Sequence, residues 1–266
     1  MDCIDKFQKA VQERTDFRKR LTEYVSVLQS KSNPDKIKEL SELRKIDVGT
    51  LSDCGIFYID SMKQMLIPAY LEELNRFGVI SPTNNMPIYN ERWVIPIKDS
   101  DGLVQGLVGY TNQAHERYVY ATTDYYMRGD TLWGLERTDR AYDLGYSILA
   151  EGIMDAIHIR SVGYEPVFAS CGTRPSSLNM TMLNRPRYGM IRIPDRDEAG
   201  NKTKKHWVTN RYVTLVTPIQ YKDSDETLRE EENTEWFKQY MDACIDWLHE
   251  REHHGLQCES VTAVMM

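Results

Sequence analysis

"YSILAEGIMDAIHI", residues 146–159, ends an apolar run on Glu151 and Gly152 and places Asp155 one helical turn further on. Ile148, Leu149 and Ala150 have the texture of a strand buried on both faces. Apolar residues resume at Ile153 with helical spacing. A buried strand that ends on a carboxylate, with a second carboxylate able to face the same side, needs something to offset the charge.

The same texture recurs downstream. "YSILA", "EPVFAS", "GMIRI" and "YVTLVT" are short apolar runs, separated by the helical stretches "IMDAIHIRSVG", "SSLNMTMLNR" and "EAGNKTKKHWVTN". That alternation predicts a parallel sheet covered by helices from about residue 146. Upstream, "ERWVIPIKDSDGLVQGLVGYT" predicts an antiparallel hairpin around a D-S-D-G turn, and "ERYVYATT" a further strand. Residues 4–29 predict a helix with Ile4, Phe7, Val11, Phe17, Leu21, Val25 and Leu28 near helical spacing. "SNPDKIKELSELRKI" predicts a second helix, with Pro34 early, where its missing N–H costs nothing. "IPAYLEELNRFGVI" predicts another, capped by Gly78. The expected class is α/β: a helical region at 1–45, an α+β subdomain at 46–145, a parallel-sheet domain at 146–226 and a helical tail at 227–266.

Composition bounds the function. The chain has 266 residues, 41% hydrophobic and 27% charged, ordinary for a globular protein. A formal charge of −7 argues against non-specific coating of nucleic acid. Screening confines such fields to roughly 10 Å, so the clusters "RTDFRKR" (14–20), "RPRYGMIR" (185–192) and "KTKKHW" (202–207) can still form a local basic groove. No run approaches a membrane span, and "MDCIDKFQKAVQERTDF" has no apolar secretory region. Cys3, Cys54, Cys171, Cys244 and Cys258 are scattered and odd in number, as expected of reduced thiols in a cytoplasm. His249 and His253 stand four apart on the tail helix near Cys244, His254 and Cys258 and could bind zinc. The cysteines lack close pairing, so a solvated helix is the simpler reading.

Acidic residues fall repeatedly where open parallel sheets present their sites, at the carboxyl ends of strands. Glu151 follows the first run, Asp195 and Asp197 the third, and Asp223 and Asp225 the fourth. Two unit charges 4 Å apart repel by about 4 kcal/mol at an effective dielectric of about 20. Divalent cations are the simplest compensation, and all-oxygen ligands favour Mg²⁺ or Mn²⁺. Two or more such ions suit nucleotidyl transfer or phosphodiester cleavage. Either E-G-x-x-D or D-x-D alone is commonly a helix cap. Their order, each after a predicted strand, is what supports a metal site, with Gly152 giving backbone or phosphate room to approach.

"EGIMDAI" followed by "PDRDEAG" resembles the two motifs of the Toprim fold. The flanking "ERWVIPIKDSDGLVQGLVGY", "ERYVYATTDYYMRGDTLWGLERT", "CGTRPSSLN" and "KDSDETL" resemble the catalytic core of DnaG-type primases over roughly residues 40–230. Ser224 stands where that family has Pro, and Arg117 and Arg128 where it often has Lys. The resemblance implies RNA primer synthesis from ribonucleoside triphosphates on single-stranded DNA. It implies metal ions held by Asp155, Asp195, Asp197, Asp223 and Asp225, with Glu151 ligating or accepting the 3′-hydroxyl proton. It further implies nucleotide or template contacts by Arg92, Arg117, Tyr118, Arg128 and Lys222. No C-x-x-C or C-x-x-H pair occurs. The expectation is therefore a phage-like minimal core that works with a replicative helicase and a separate zinc-module protein. The rival readings are a Toprim nuclease and a non-catalytic recombination mediator.

Overall fold

The computed structural model describes residues 3–113, 116–121, 126, 129, 131–171, 176–196, 212–253 and 261–264. The chain forms two compact units: Met1–Leu43 with Leu51–Met127, and Arg44–Thr50 with Arg128–Met266. This differs from the four segments expected, because the amphipathic helices at the two ends of the chain supply core to the sheets beside them.

In the first unit, α1 (Cys3–Ser30) is a single long helix. Its second half buries Phe17, Leu21, Tyr24, Val25 and Leu28 against Phe57, Ile59, Val94 and Leu107 of the sheet. Ile4, Phe7 and Val11, on the same predicted stripe, are exposed. Next come α2 (Pro34–Arg44), α3 (Val48–Asp53), β1 (Phe57–Ile59) and α4 (Met62–Met65). The Asn33 side chain accepts from the Asp35 amide at the start of α2, and Asp47 accepts from Thr50 at the start of α3. The helix predicted after Ile67 is only a 3₁₀ turn at Pro68–Tyr70 followed by further turns. Its end is as expected: Gly78 has a left-handed backbone, its N–H donates to Asn75 O, and Val79 N–H donates to Leu74 O.

The predicted hairpin is β2 (Arg92–Lys98) and β3 (Val104–Tyr110), followed by β4 (Tyr118–Tyr120). The sheet is antiparallel in the order β1-β2-β3-β4. In the turn, Asp99 accepts from the amides of Asp101 and Leu103 and pairs with Arg18 at 2.7 Å. One rung across all four strands is aromatic. Tyr58, Trp93, Tyr110 and Tyr118 are direct cross-strand partners, with ring centroids 5.5, 5.9 and 5.2 Å apart in that order. Such pairs stabilise a sheet by roughly 0.2–1 kcal/mol each.

The second unit holds α5 (Thr138–Leu144), β5 (Tyr146–Ala150), α6 (Ile153–Ser161), β6 (Val167–Ala169), α7 (Ser177–Leu183), β7 (Gly189–Ile193) and β8 (Tyr212–Val216). It continues with α8 (Ser224–Leu228), α9 (Glu231–His253) and β9 (Val261–Val264). Its strands pair in parallel, in the order β6-β5-β7-β8-β9. The last strand is not expected from the sequence; its four residues are too short a signal after a long helix. β5, β6 and β7 are buried throughout, which explains their unbroken apolar runs. Trp133 pairs with Ala169 at the sheet edge, and the Arg160 guanidinium lies 4.1 Å from its ring centre. Among the described residues no helix is long and apolar enough to cross a membrane.

Candidate metal centre

The order in which strands are added reverses between β5 and β7, since β5 continues to β6 on one side and the chain then crosses to β7 on the other. Crevices at such a switch point, outside the carboxyl ends of the strands, are where open α/β sheets bind ligands. Glu151 directly follows β5, and Asp195 lies two residues beyond β7. The Asp195 amide donates to Glu151 Oε2 at 3.4 Å, which ties the two strand ends together.

Asp155, Asp195 and Asp223 each offer a carboxylate oxygen within 4.8 Å of the others. Asp155 comes from the first turn of α6 and is 8% exposed. Its Oδ1 accepts from the Ser224 hydroxyl and the Asp225 amide, both at 2.9 Å. Gly152 also leaves room for the Asp155 side chain: a Cβ at 152 would collide with its carboxylate. Asp223 is the N-cap of α8, accepting from the Glu226 amide at 2.8 Å.

Burial sets the protonation of this group. It pushes the Asp195 carboxyl up to about 7, reinforced by the charge of Glu151. Burial also raises Asp155 well above the usual carboxylate range, with Asp223 and Asp195 adding repulsion. Asp223 is raised as well, again chiefly by burial. Lys222 Nζ lies 3.4 Å from Asp195 and offsets part of this. Three oxygen donors that resist ionisation together, and that lie within one coordination sphere of each other, fit a hard divalent cation.

Asp225 stands apart from these three. Its Oδ2 accepts from Arg44 Nη1 and Arg229 Nη2, and its Oδ1 lies 3.1 Å from His158 Nδ1. Burial alone would raise this carboxyl, but the His158 hydrogen bond and the charges of Arg44 and Arg229 hold it below the usual range. Asp197 and Arg128 lie outside the described residues.

The basic candidates of the first unit sit on its antiparallel sheet. Arg92 opens β2 and donates to Glu116 O at 2.9 Å. Arg117 is exposed and immediately precedes Tyr118, the end of the aromatic rung. In the basic clusters at 14–20 and 185–192, Arg14, Lys19, Arg185 and Arg187 are exposed, whereas three other arginines have internal roles. Arg18 binds Asp99 and Gln105, and Arg20 binds Glu73 and lies over the Tyr70 ring; Arg192 is buried. The third cluster, at 202–207, is outside the described residues. In the tail, burial pushes the Cys244 thiol up to about 12, and His249 packs edge-on against Tyr188 at 4.4 Å. Among the described residues neither belongs to a group of potential metal ligands; the side chain of His253, and residues His254 and Cys258, lie outside the description.

A Toprim-like family model matches residues 148–228, the segment that carries all three clustered aspartates. The chain is 29% identical over 168 residues to the DNA primase of Aquifex aeolicus (strain VF5), covering 61% of this chain and 33% of that protein. It is 29% identical over 155 residues to the DNA primase of Rickettsia prowazekii (strain Madrid E), covering 56% and 25%. The match thus spans a third or less of these curated relatives. Among solved structures, the zinc-binding and RNA polymerase domains of the Aquifex aeolicus primase superpose with a TM-score of 0.72 at 22% identity, over 84% of this chain and 60% of that one. A DnaG primase catalytic domain bound to single-stranded DNA superposes at 0.70 and 20% identity, over 86% and 80%. The chain therefore has a Toprim-like segment at residues 148–228 and the fold seen in DnaG-type primase catalytic cores.

Proposed function

We propose that this chain is a primase core that synthesises short RNA primers on single-stranded DNA from ribonucleoside triphosphates. The observation that carries the reading is the cluster of Asp155, Asp195 and Asp223 at the switch point of a sheet whose fold is that of primase catalytic cores. These residues, with Asp197, would hold Mg²⁺ or Mn²⁺. Such ions, when bound, supply charge stabilisation at the attacking and leaving oxygens of an in-line displacement.

The chain's own groups do the rest. Glu151, at the strand end beside Asp195, would ligate an ion or accept the proton of the attacking 3′-hydroxyl. Lys222 brings a positive charge to the same edge and can meet a phosphate there. Arg92, Arg117 and Arg128 would track phosphates by charge, with Tyr118 as a stacking surface for a base. A separate zinc-module protein and a replicative helicase are the partners proposed for start-site choice and recruitment in a cytoplasm. The test is incubation of the purified chain with single-stranded DNA, four ribonucleotides and Mg²⁺ or Mn²⁺. Labelled primers of RNA are expected; cleavage of the template without primers would overturn the reading in favour of a nuclease.

A further inference from the structure

Asp225 belongs by motif to the acidic set, yet its surroundings are those of an anchor. Three cationic or hydrogen-bonding groups converge on one carboxylate: Arg44, His158 on α6, and Arg229 at the end of α8. Asp225 is 3% exposed, and both of its oxygens are engaged. A divalent cation at this carboxylate would have to displace two guanidinium groups already paired with it, one of which, Arg44, is buried. The same residue's amide, together with the neighbouring hydroxyl of Ser224, holds Asp155 Oδ1. Asp223, one step earlier, caps the same short helix.

We infer that Asp225 is a positioning residue of the metal centre and not one of its ligands: its carboxylate fixes the start of α8, from which the Ser224 hydroxyl and the Asp225 amide orient Asp155 toward Asp195 and Asp223. Ser224 shares the task. A proline at 224 would keep the backbone path into a helix but would have no hydroxyl to offer Asp155. Outer groups that orient ligands in this way are typically worth 10–100-fold in metal affinity. The held carboxylic acid rotates less, so less ordering is left to the moment of binding.

The inference rests on the carboxylate cluster being a cation site, and one experiment separates the two. Mn²⁺ binding is titrated calorimetrically on the purified full chain and on Asp195→Asn, Asp225→Asn, Ser224→Ala and Ser224→Thr, with melting temperatures measured without metal. The expected pattern is loss of Mn²⁺ uptake in Asp195→Asn with no fall in melting temperature. Asp225→Asn should melt lower and, where folded, bind the same number of ions as the parent. Ser224→Ala should bind Mn²⁺ about tenfold more weakly with an unchanged melting temperature, and Ser224→Thr should restore the affinity. If Asp225→Asn is too unstable to titrate, the Ser224 pair decides. Parent-like affinity in Ser224→Ala, or an ion lost from Asp225→Asn at parent-like melting temperature, would overturn the inference while leaving the metal site intact. No Mn²⁺ uptake by the parent chain would overturn both.

Discussion

The antiparallel sheet keeps its candidate cations near the surface, whereas the parallel sheet draws its candidate anions inside. Arg117 is exposed and Arg92 donates to the Glu116 backbone carbonyl; Asp155, Asp195 and Asp223 are packed closely enough for burial to raise all three carboxyls. Exposed charge acts over a screened distance and is indifferent to register. Buried charge acts over a few ångströms and alters protonation. The first arrangement suits a groove that follows a phosphate backbone, the second a site that must bind an ion in one place.

The sharpest way to test that contrast is to remove charge from the buried side without changing shape. Glu151→Gln is expected to lower primer synthesis by about 10²–10⁴-fold, measured as labelled product per hour, with circular dichroism unchanged. Synthesis within a few fold of the parent would detach Glu151 from the chemistry.

Next in size is the anchor. Asp225→Asn leaves Arg44 and Arg229 without their shared carboxylate, and breaking a buried pair from one side costs about 3–5 kcal/mol. Urea denaturation should show a lower midpoint at an unchanged slope. The contrast with Asp195→Asn, which removes a repelled anion, should be opposite in sign at pH 8.

A third prediction uses pH. Asp195 titrates at about 7 when folded, against 3.8 for an unperturbed carboxyl. The folded state therefore holds this proton more tightly, so its contribution to stability is full below about 3.8 and is lost as pH rises through about 7. Without divalent ions the melting temperature should fall across that window for this reason. Added Mg²⁺ should raise it more at pH 8 than at pH 6, because binding requires the ionised carboxylates. An Mg²⁺ effect that is equal at both values would contradict the assignment of Asp195.

The smallest effect belongs to the exposed side. Arg92→Ala and Arg117→Ala should leave stability within about 0.5 kcal/mol. Each should lower the salt slope of single-stranded DNA binding by about 0.7 for every phosphate it no longer neutralises. Fluorescence anisotropy at several salt concentrations measures it, and unchanged slopes would make both residues ordinary surface charges.

Much of this division can be read from the chain itself, and the limits have physical causes. The parallel sheet is legible because strands buried on both faces leave unbroken apolar runs, and Glu151 and Asp195 are legible because each ends such a run. Asp155 is found by helical spacing from Glu151. The neutralisation of Asp225 is not legible: its partner Arg44 is 181 residues away, and His158 looks like one more polar residue on an apolar helix. Arg18 and Arg20 look like part of a basic cluster until their carboxylate partners, 81 and 53 residues on, are brought beside them. The exposed start of α1 shows the opposite limit. Ile4, Phe7 and Val11 keep the period of a core stripe, and periodicity alone does not say where the sheet beneath them stops.

The aromatic rung has a practical consequence in spectroscopy. Trp93 lies in it between Tyr58 and Tyr110, inside the first unit, while Trp133 sits under the Arg160 guanidinium in the second. Each unit thus contains a buried indole with surroundings of its own. Variants that retain only Trp93 or only Trp133 would report the melting of each unit by a separate emission signal. Coincident transitions would mean that the two sheets unfold as one cooperative body, and separated transitions that each stands or falls alone.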